Sequence, residues 1–417
     1  MKFANQPQIN VVYKFIYIRI SANAEIFKKL ILNYDLYLLL KVYSLSVIKG
    51  KMKSYDQFRE ELKSAYPITH WEITLPIASN LETFGIDFDK VVKNLDNIMQ
   101  QLFAKKEQAK EISKSAFASW FTDLFTWDFT GIVRFDTMFN QKWELKLVEV
   151  NTKWPDGLLM HDCTYSDLLD KPNNRNLDLF LQLFDEEDYI FIMYENAGFI
   201  DSHFLEYEKV KNRWYKVWIW TFEDIVFKDW FAYYQDNKID VLRFSVSPWR
   251  LDESQISLLK SVKLKYINTP DLASMWDKSL LQWVENEIIM KISILDETIK
   301  DKIIQNKNSY VIKPTNKDEW NWVYIWIDLS QSERETLINS NLWKQYLAQE
   351  YIQISPKMTQ IYLDWDIIEK EVYYDFCPHI FYKDGKMIGC GQVLVRYSAN
   401  RIVNVLKWWG IGYRKQD

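Results

Sequence analysis

Two pairs of polar residues, each with one apolar residue between them, interrupt otherwise apolar stretches. They are Arg134 and Asp136 in Gly131-Ile-Val-Arg-Phe-Asp, and Glu149 and Asn151 in Glu144-Leu-Lys-Leu-Val-Glu-Val-Asn. Residues two apart in a strand share a face, so each pair projects to one side. A turn at Asn140-Gln-Lys-Trp143 joins the runs, which predicts a hairpin with a cation, two carboxylates and an amide on one face. Two carboxylates and an amide oxygen make a hard-oxygen site for magnesium, with positions left for phosphate oxygens. Arg134 alongside can hold a terminal phosphate bidentately and offset the charge of its transfer. The same residues also suit an exposed hairpin with cross-strand ion pairs.

A second group follows 160 residues or so later in the chain. Val311-Ile-Lys313-Pro314 ends an apolar strand on a lysine, and a polar loop follows through Trp320, Asn321 and Trp322 to Trp326. An ammonium on phosphate with a loop folded over it suits a nucleotide. Gln349-Glu350-Tyr351-Ile352 reads as a hinge whose backbone faces an adenine edge while Ile352 packs on the ring. An ordinary strand fits that run as well. Lys278, after Asp277, is either a second phosphate ligand or a solvated first-turn lysine. Arg396, in Val395-Arg-Tyr-Ser, is either a ligand for carboxylate or phosphate or part of a structural ion pair.

A loop closes on phosphate only where backbone N–H groups come near, which calls for residues without Cβ. This chain has 10 glycines and 19 tryptophans, and the two together approach the usual glycine share of about 7%. Trp320, Trp322, Trp326, Trp408 and Trp409 fall in the loops that need glycine, Trp154, Trp276, Trp143 and Trp365 in loops and turns, and Trp218 and Trp220 at a strand end. Some bacterial lineages read the UGA codon as glycine, and translation with a code reading it as tryptophan produces this swap. The expectation is that many of these tryptophans stand for glycine.

The elements that must position these groups are legible in outline. Apolar spacing at Phe88, Val91, Val92, Leu95, Ile98, Met99 and Leu102 predicts a helix within 85–115. Strands are expected at Tyr189–Tyr194, Lys216–Thr221, Asp240–Phe244 and Lys263–Asn268, as a small parallel sheet of βαβ units. Beyond them come a helix over Lys278–Ile294, the strand Tyr310–Lys313 and further strands to the C-terminus. Residues 1–51 lack caps and periodicity, and Met52 begins an amphipathic helix pattern, so 1–51 is expected to be translated leader.

Composition excludes several classes. A net charge of −5 is no footprint for nucleic acid, and Asp35 and Lys41 break the most apolar stretch too early for a membrane span. Cys163, Cys377 and Cys390 show neither a disulfide framework nor metal-ligand spacing, which points to a reducing cytoplasm. The four histidines form no ligand pattern, which speaks against a zinc enzyme.

The Arg-x-Asp strand followed about a dozen residues later by Glu-x-Asn, and then by Lys278, Lys313 and Gln349-Glu350, resembles the circularly permuted ATP-grasp proteins related to glutathionylspermidine synthetase. The resemblance covers roughly 130–417. It implies an α+β fold, a circularly permuted ATP-grasp with a small α/β, pre-ATP-grasp-like domain. The divisions expected are a leader (1–51), a helical region with the metal-binding half (52–185), an α/β substrate-side domain (186–270) and the nucleotide-binding half (271–417). It further implies Asp136, Glu149 and Asn151 as magnesium ligands, Arg134 as the phosphoryl-transfer arginine, and Lys278 and Lys313 on the phosphates of ATP. The activity implied is ligation of a small-molecule or peptide carboxylate to an amine through an acylphosphate. A non-catalytic nucleotide-binding or scaffold protein and a small-molecule kinase are the alternatives.

Overall fold

Strand β2 (Gly131–Phe139) and strand β3 (Leu145–Asn151) form the expected hairpin. Its even-numbered face on β2 carries Arg134 and Asp136. Its odd-numbered face, Val133 and Phe135, is sealed by helix α1 (Phe88–Ala104) through Leu95, Ile98, Met99 and Leu102. That i, i+3, i+4, i+7 spacing is an apolar stripe facing the core. The Asp87 carboxylate caps α1 by accepting from the Lys90 amide at 3.0 Å, and α2 (Lys106–Ala116) continues from it. Helix α3 (Arg175–Leu181) lies farther along the chain.

The computed structural model describes residues 77–78, 87–116, 129–152, 155, 158–159, 174–194, 200–245, 251–269, 272–306, 309–316, 322–342, 345–363, 366–398, 401 and 409–412. The leader expected over 1–51, the domain limit at 52, Asn321 and Trp154, Trp320, Trp365 and Trp408 lie outside them. Among the described residues no helix is long and apolar enough to cross a membrane.

The hairpin belongs to a seven-stranded sheet completed by β1 (Ile77–Ala78), β15 (Lys357–Leu363), β16 (Asp366–Lys383), β17 (Lys386–Ser398) and β18 (Trp409–Gly412), in the order β15-β1-β18-β17-β16-β2-β3. The 18-residue β16 sits between β2 and β17. Its exposed early stretch, Glu369–Glu371, and its stretch from Asp375 to Tyr382, buried on both faces, share no single pattern that would mark one long strand.

The expected parallel sheet is present as β4 (Tyr189–Tyr194), β5 (Lys216–Trp220), β9 (Val241–Ser245) and β10 (Lys265–Ile267), ordered β10-β9-β4-β5 with every pairing parallel. Helices α4 (Ile200–Lys211) and α5 (Glu253–Ser261) follow β4 and β9. Between β5 and β9 the chain adds an antiparallel meander, β6 (Val226–Lys228), β7 (Phe231–Tyr234) and β8 (Asn237–Ile239).

The meander's first turn has left-handed backbone at Asp229 (φ 50°) and Trp230 (φ 69°). Asp384-Gly385, the turn between β16 and β17, has a closely similar pair of values, 51° and 74°. Trp143 (φ 63°) and Trp214 (φ 69°) are left-handed too. All three tryptophans are mostly solvent-exposed, at 52%, 94% and 72% for 143, 214 and 230. A bulky side chain in this region is strained; Trp143 keeps contact with the Phe139 ring and lies under Lys357 Nζ, while Trp214 and Trp230 are the most exposed of the three.

The fourth sheet is antiparallel, β11 (Ile292–Ile294), β14 (Tyr346–Glu350), β12 (Tyr310–Pro314) and β13 (Tyr324–Ile325) in that order. Helices α6 (Lys300–Gln305) and α7 (Gln331–Asn341) cover its Ile312 and Ala348 face. The helix expected over Lys278–Ile294 is instead a 3₁₀ segment, Lys278–Trp283, then irregular chain leading to β11. Local and tertiary partners take the backbone groups that a helix would use. The Asn286 side chain accepts from Ile288 N, Gln101 accepts from Glu285 N, and the Ile288 carbonyl accepts from Leu147 N at 2.8 Å. Such side-chain capture competes with helix formation.

Candidate functional site

The hairpin register sets Arg134 opposite Asn151 and Asp136 opposite Glu149. The four residues named from their spacing therefore share one face in adjacent rungs. Arg134 donates to Asp136 twice, Nε to Oδ1 at 2.8 Å and Nη2 to Oδ2 at 3.2 Å. The Asn151 amide lies 3.4 Å from Glu149 Oε1.

Lys278, Lys313 and Gln349 come to the same place from the other sheet and its approach. Lys313 and Gln349 share the face of β12 and β14 opposite the helices, with Lys313 across from Leu347 and Val311 across from Gln349. Lys313 Nζ donates to the Val148 carbonyl at 3.0 Å, and Gln349 Nε2 points at the same oxygen at 3.4 Å. Lys278 Nζ stands 3.5 Å from Glu149 Oε2 and over the Trp276 ring. It is buried, not the solvated lysine that was one of its two expected roles. Burial pulls the Lys313 ammonium down to about 8, with Glu149 opposing and Lys278 reinforcing the shift.

Arg396, on β17, arrives from the third side. It pairs across the ladder with Asp375 of β16, donating from Nε to both carboxylate oxygens at 2.9 Å. Its Nη2 also donates to Asp136 Oδ2 at 2.9 Å. Asp136 thus lies between two guanidiniums. Burial alone would raise its pKa, but Arg134 and Arg396 overcome that and hold the carboxyl well below the usual range. Asp375 shares Arg396 with Asp136 and goes the other way, raised by burial. Cys377 is buried beside it, its thiol facing Asp375 Oδ1 and pushed well up by burial. His379, in register with Arg134, is also buried.

Asp375 was not assigned a role from sequence. The signal was the alternation Asp375-x-Cys377-x-His379 in an apolar run, since polar residues at period two place several groups on one buried face. Of the remaining expected residues, Glu350 is exposed at the end of β14 and Ile352 is half-buried beyond it, both away from the arginine cluster. The backbone N–H groups of Glu350 and Tyr351 are taken by the carbonyls of Lys291 and Ser309, which ties the hinge into the sheet. Trp326 is fully buried in the helix-covered core and donates from its indole nitrogen to the Ile303 carbonyl at 2.8 Å. Trp276 is buried as well. In the chain as written, both indoles are part of the packed interior.

Asp136, Glu149 and Asn151 fit a hard divalent cation by donor chemistry and by sharing a face. The Asp136 oxygens also accept from Arg134 and Arg396, so an ion there would share this carboxylate with two guanidiniums. Among the described residues no three His, Cys, Asp or Glu side chains gather for a metal, so such an ion would complete its shell with the Asn151 amide and with oxygens from outside the protein, as magnesium commonly does.

The architecture is of mixed helix and strand, with the hairpin sheet and the lysine-bearing sheet meeting at Val148. It is similar to a glutathione synthetase-like effector from Globodera pallida, with a TM-score of 0.53 at 12% identity over 82% of this chain and 90% of that one. A candidate gamma-glutamylcysteine synthetase from Methylobacillus flagellatus gives 0.38 at 9% identity over 79% and 87%, too low a score to bear on the fold. No protein-family model and no curated protein matches the chain.

Proposed function

We propose that the chain is an ATP- and magnesium-dependent carboxylate–amine ligase with its two half-sites in circularly permuted order, acting in the cytoplasm. The observation that carries this reading is the meeting of Lys313 with β3 beside Glu149. It brings a phosphate-binding cation and a hard-oxygen site to one cleft from two separate sheets. The hairpin precedes the lysine-bearing sheet in the chain, the inverse of the ordinary order.

In this reading a substrate carboxylate oxygen attacks the γ-phosphorus of ATP, the bond to the ADP oxygen breaks, and an acylphosphate forms. An amine then adds to the acyl carbon, loses its proton and expels inorganic phosphate, leaving an amide. Asp136, Glu149 and Asn151 would hold magnesium, which would supply Lewis-acid charge to the phosphate oxygens. Lys278 and Lys313 hold those oxygens from the opposite side, and Arg134 and Arg396 offset the charge that builds on the transferred group. Gln349, Glu350, Ile352 and Asn321 serve the nucleotide. The test is release of ADP and free phosphate that requires both a carboxylate and an amine. A stable phosphate ester would make the chain a kinase, and no ATP binding would make it a scaffold.

We infer further that Trp143, Trp214 and Trp230 stand where the cell inserts glycine. Support comes from their left-handed backbone and exposure, and from the matching geometry of Asp229-Trp230 and Asp384-Gly385. An aspartate–glycine pair is the favoured content of such a two-residue hairpin turn. Mass spectrometry of the native protein across these positions decides the residue directly.

A further inference from the structure

We propose that Asn268 is a positioning residue for the cleft: its side-chain amide serves as the last rung of the β2–β3 ladder and sets the spacing between Arg134 and Asn151. The inference rests on the ligase reading for its consequence, though not for its geometry.

Regular pairing of the hairpin ends at Arg134 and Asn151. Immediately beyond, the side chain of Asn268 takes over. Its Oδ1 accepts from Ile132 N at 3.0 Å, and its Nδ2 donates to Ile132 O at 2.7 Å and to Thr152 O at 2.8 Å. The amide thus does what a neighbouring peptide unit would do, joining both strands just outside the rung that carries Arg134 and Asn151. The second lone pair of Oδ1 accepts from Arg243 Nη1 at 3.2 Å. All four hydrogen-bonding positions of the amide are in use. The Asn268 backbone N–H donates to Thr130 O at 3.0 Å, so the residue is held to the start of β2 by main chain as well.

Two independent features adapt the chain to this contact. Asn268 has left-handed backbone, φ 57°, a conformation asparagine tolerates better than most residues. It aims the side chain from the carboxyl end of β10 into the hairpin. Gly131 is the other: a Cβ there would lie 2.9 Å from both Asn268 N and Asn268 Oδ1, too close for any other residue without displacing the amide. Arg243 extends the connection into the parallel sheet, where it lies 3.5 Å from Glu206. Asn268 is therefore the point at which that sheet registers the hairpin.

The test uses the full chain with three variants. Asn268→Asp keeps the acceptor for Ile132 N and Arg243 but turns the donor side into an oxygen facing two carbonyls. Asn268→Gly keeps the left-handed backbone and deletes the amide. Gly131→Ala leaves Asn268 intact and crowds it. Ile256→Val, in the core on the α5 side of the parallel sheet, serves as a control for general loss of stability. We expect the three variants to lower kcat for ADP release by about 10²-fold, as misplacement on the ångström scale does, while KM for ATP changes little because Lys313 sits on another sheet and Lys278 on a separate 3₁₀ segment. Hydrogen exchange should quicken in peptides covering 131–139 and 145–152 and remain as in the parent over 310–314 and 346–350. Losses of kcat no larger than in Ile256→Val at matched stability, or exchange that quickens evenly over the chain, overturn the proposal. If the parent protein itself releases no ADP, the ligase reading has failed, and the exchange pattern alone decides the role of Asn268.

Discussion

Lys313 donates to the carbonyl oxygen of Val148 across 165 positions of sequence, at 3.0 Å. One residue farther along β3, Glu149 faces Lys278. Two basic residues from separate segments therefore converge on the carboxylate side of a hairpin, which is an arrangement for binding a polyanion between them.

Replacing Glu149 with glutamine tests that convergence. The shape is kept and the charge lost, so turnover should fall by about 10²–10³-fold, the usual effect of removing one charge-stabilising group. Stability should fall by only about 1–2 kcal/mol, because buried Lys278 loses one charged partner and retains its ring contact. Steady-state ADP release and urea unfolding measure the two effects. Retention of full activity would remove Glu149 from the site.

The acidity of Lys313 predicts two opposite pH trends. With the folded value near 8 and the unfolded value near 10.4, the native chain binds fewer protons between those limits. Stability of the ligand-free protein therefore rises with pH over that window, by on the order of 3 kcal/mol. Affinity for ATP falls over the same approach to pH 8 and above, as the ammonium loses its proton. In Lys313→Met both trends should disappear, which separates them from titration of tyrosines elsewhere.

The Arg396–Asp375 pair should show strong coupling. Removing either partner alone leaves a buried charge short of its counterion, at a cost of about 3–5 kcal/mol. In a cycle built from Asp375→Leu, Arg396→Met and the double variant, the double should be less destabilised than the sum of the singles by about 1–3 kcal/mol. Additive effects in urea unfolding would mean that Asp375 does not hold Arg396.

The tryptophans sort by backbone and packing. In the protein as written, Trp143→Gly, Trp214→Gly and Trp230→Gly should each stabilise by about 1 kcal/mol, the cost of a left-handed non-glycine residue. Trp326→Gly should instead destabilise by about 3–5 kcal/mol through loss of a buried indole. Thermal unfolding of the four single variants distinguishes the groups by sign.

Much of the local structure was legible in the residues. The hairpin, the first helix and the four parallel strands follow from apolar period and turn chemistry, which act over a few residues. The failures share one cause. Over Lys278–Ile294 the apolar spacing suited a helix, but Gln101 and Leu147 lie far off in sequence and claim its backbone groups. β16 changes along its length from an exposed early stretch at Glu369–Glu371 to burial on both faces over Asp375–Tyr382, so no one pattern runs through it. Left-handed Trp214 and Trp230 could not be told from other exposed tryptophans until their φ values were known.

The order of residues alone set Arg134 and Asp136 on one face of β2 and Glu149 and Asn151 on one face of β3, through the two-residue period of a strand. That the two faces coincide depends on the register shift between Asp136 and Thr137, without which Asp136 would lie opposite Val148. Nor could the order of residues determine that Arg396 and Asp375 would close around Asp136, or that Asn268 would complete the ladder beside Arg134. Those contacts join segments 260 and 136 positions apart, and only the packing of sheets and helices around a common core brings such segments together.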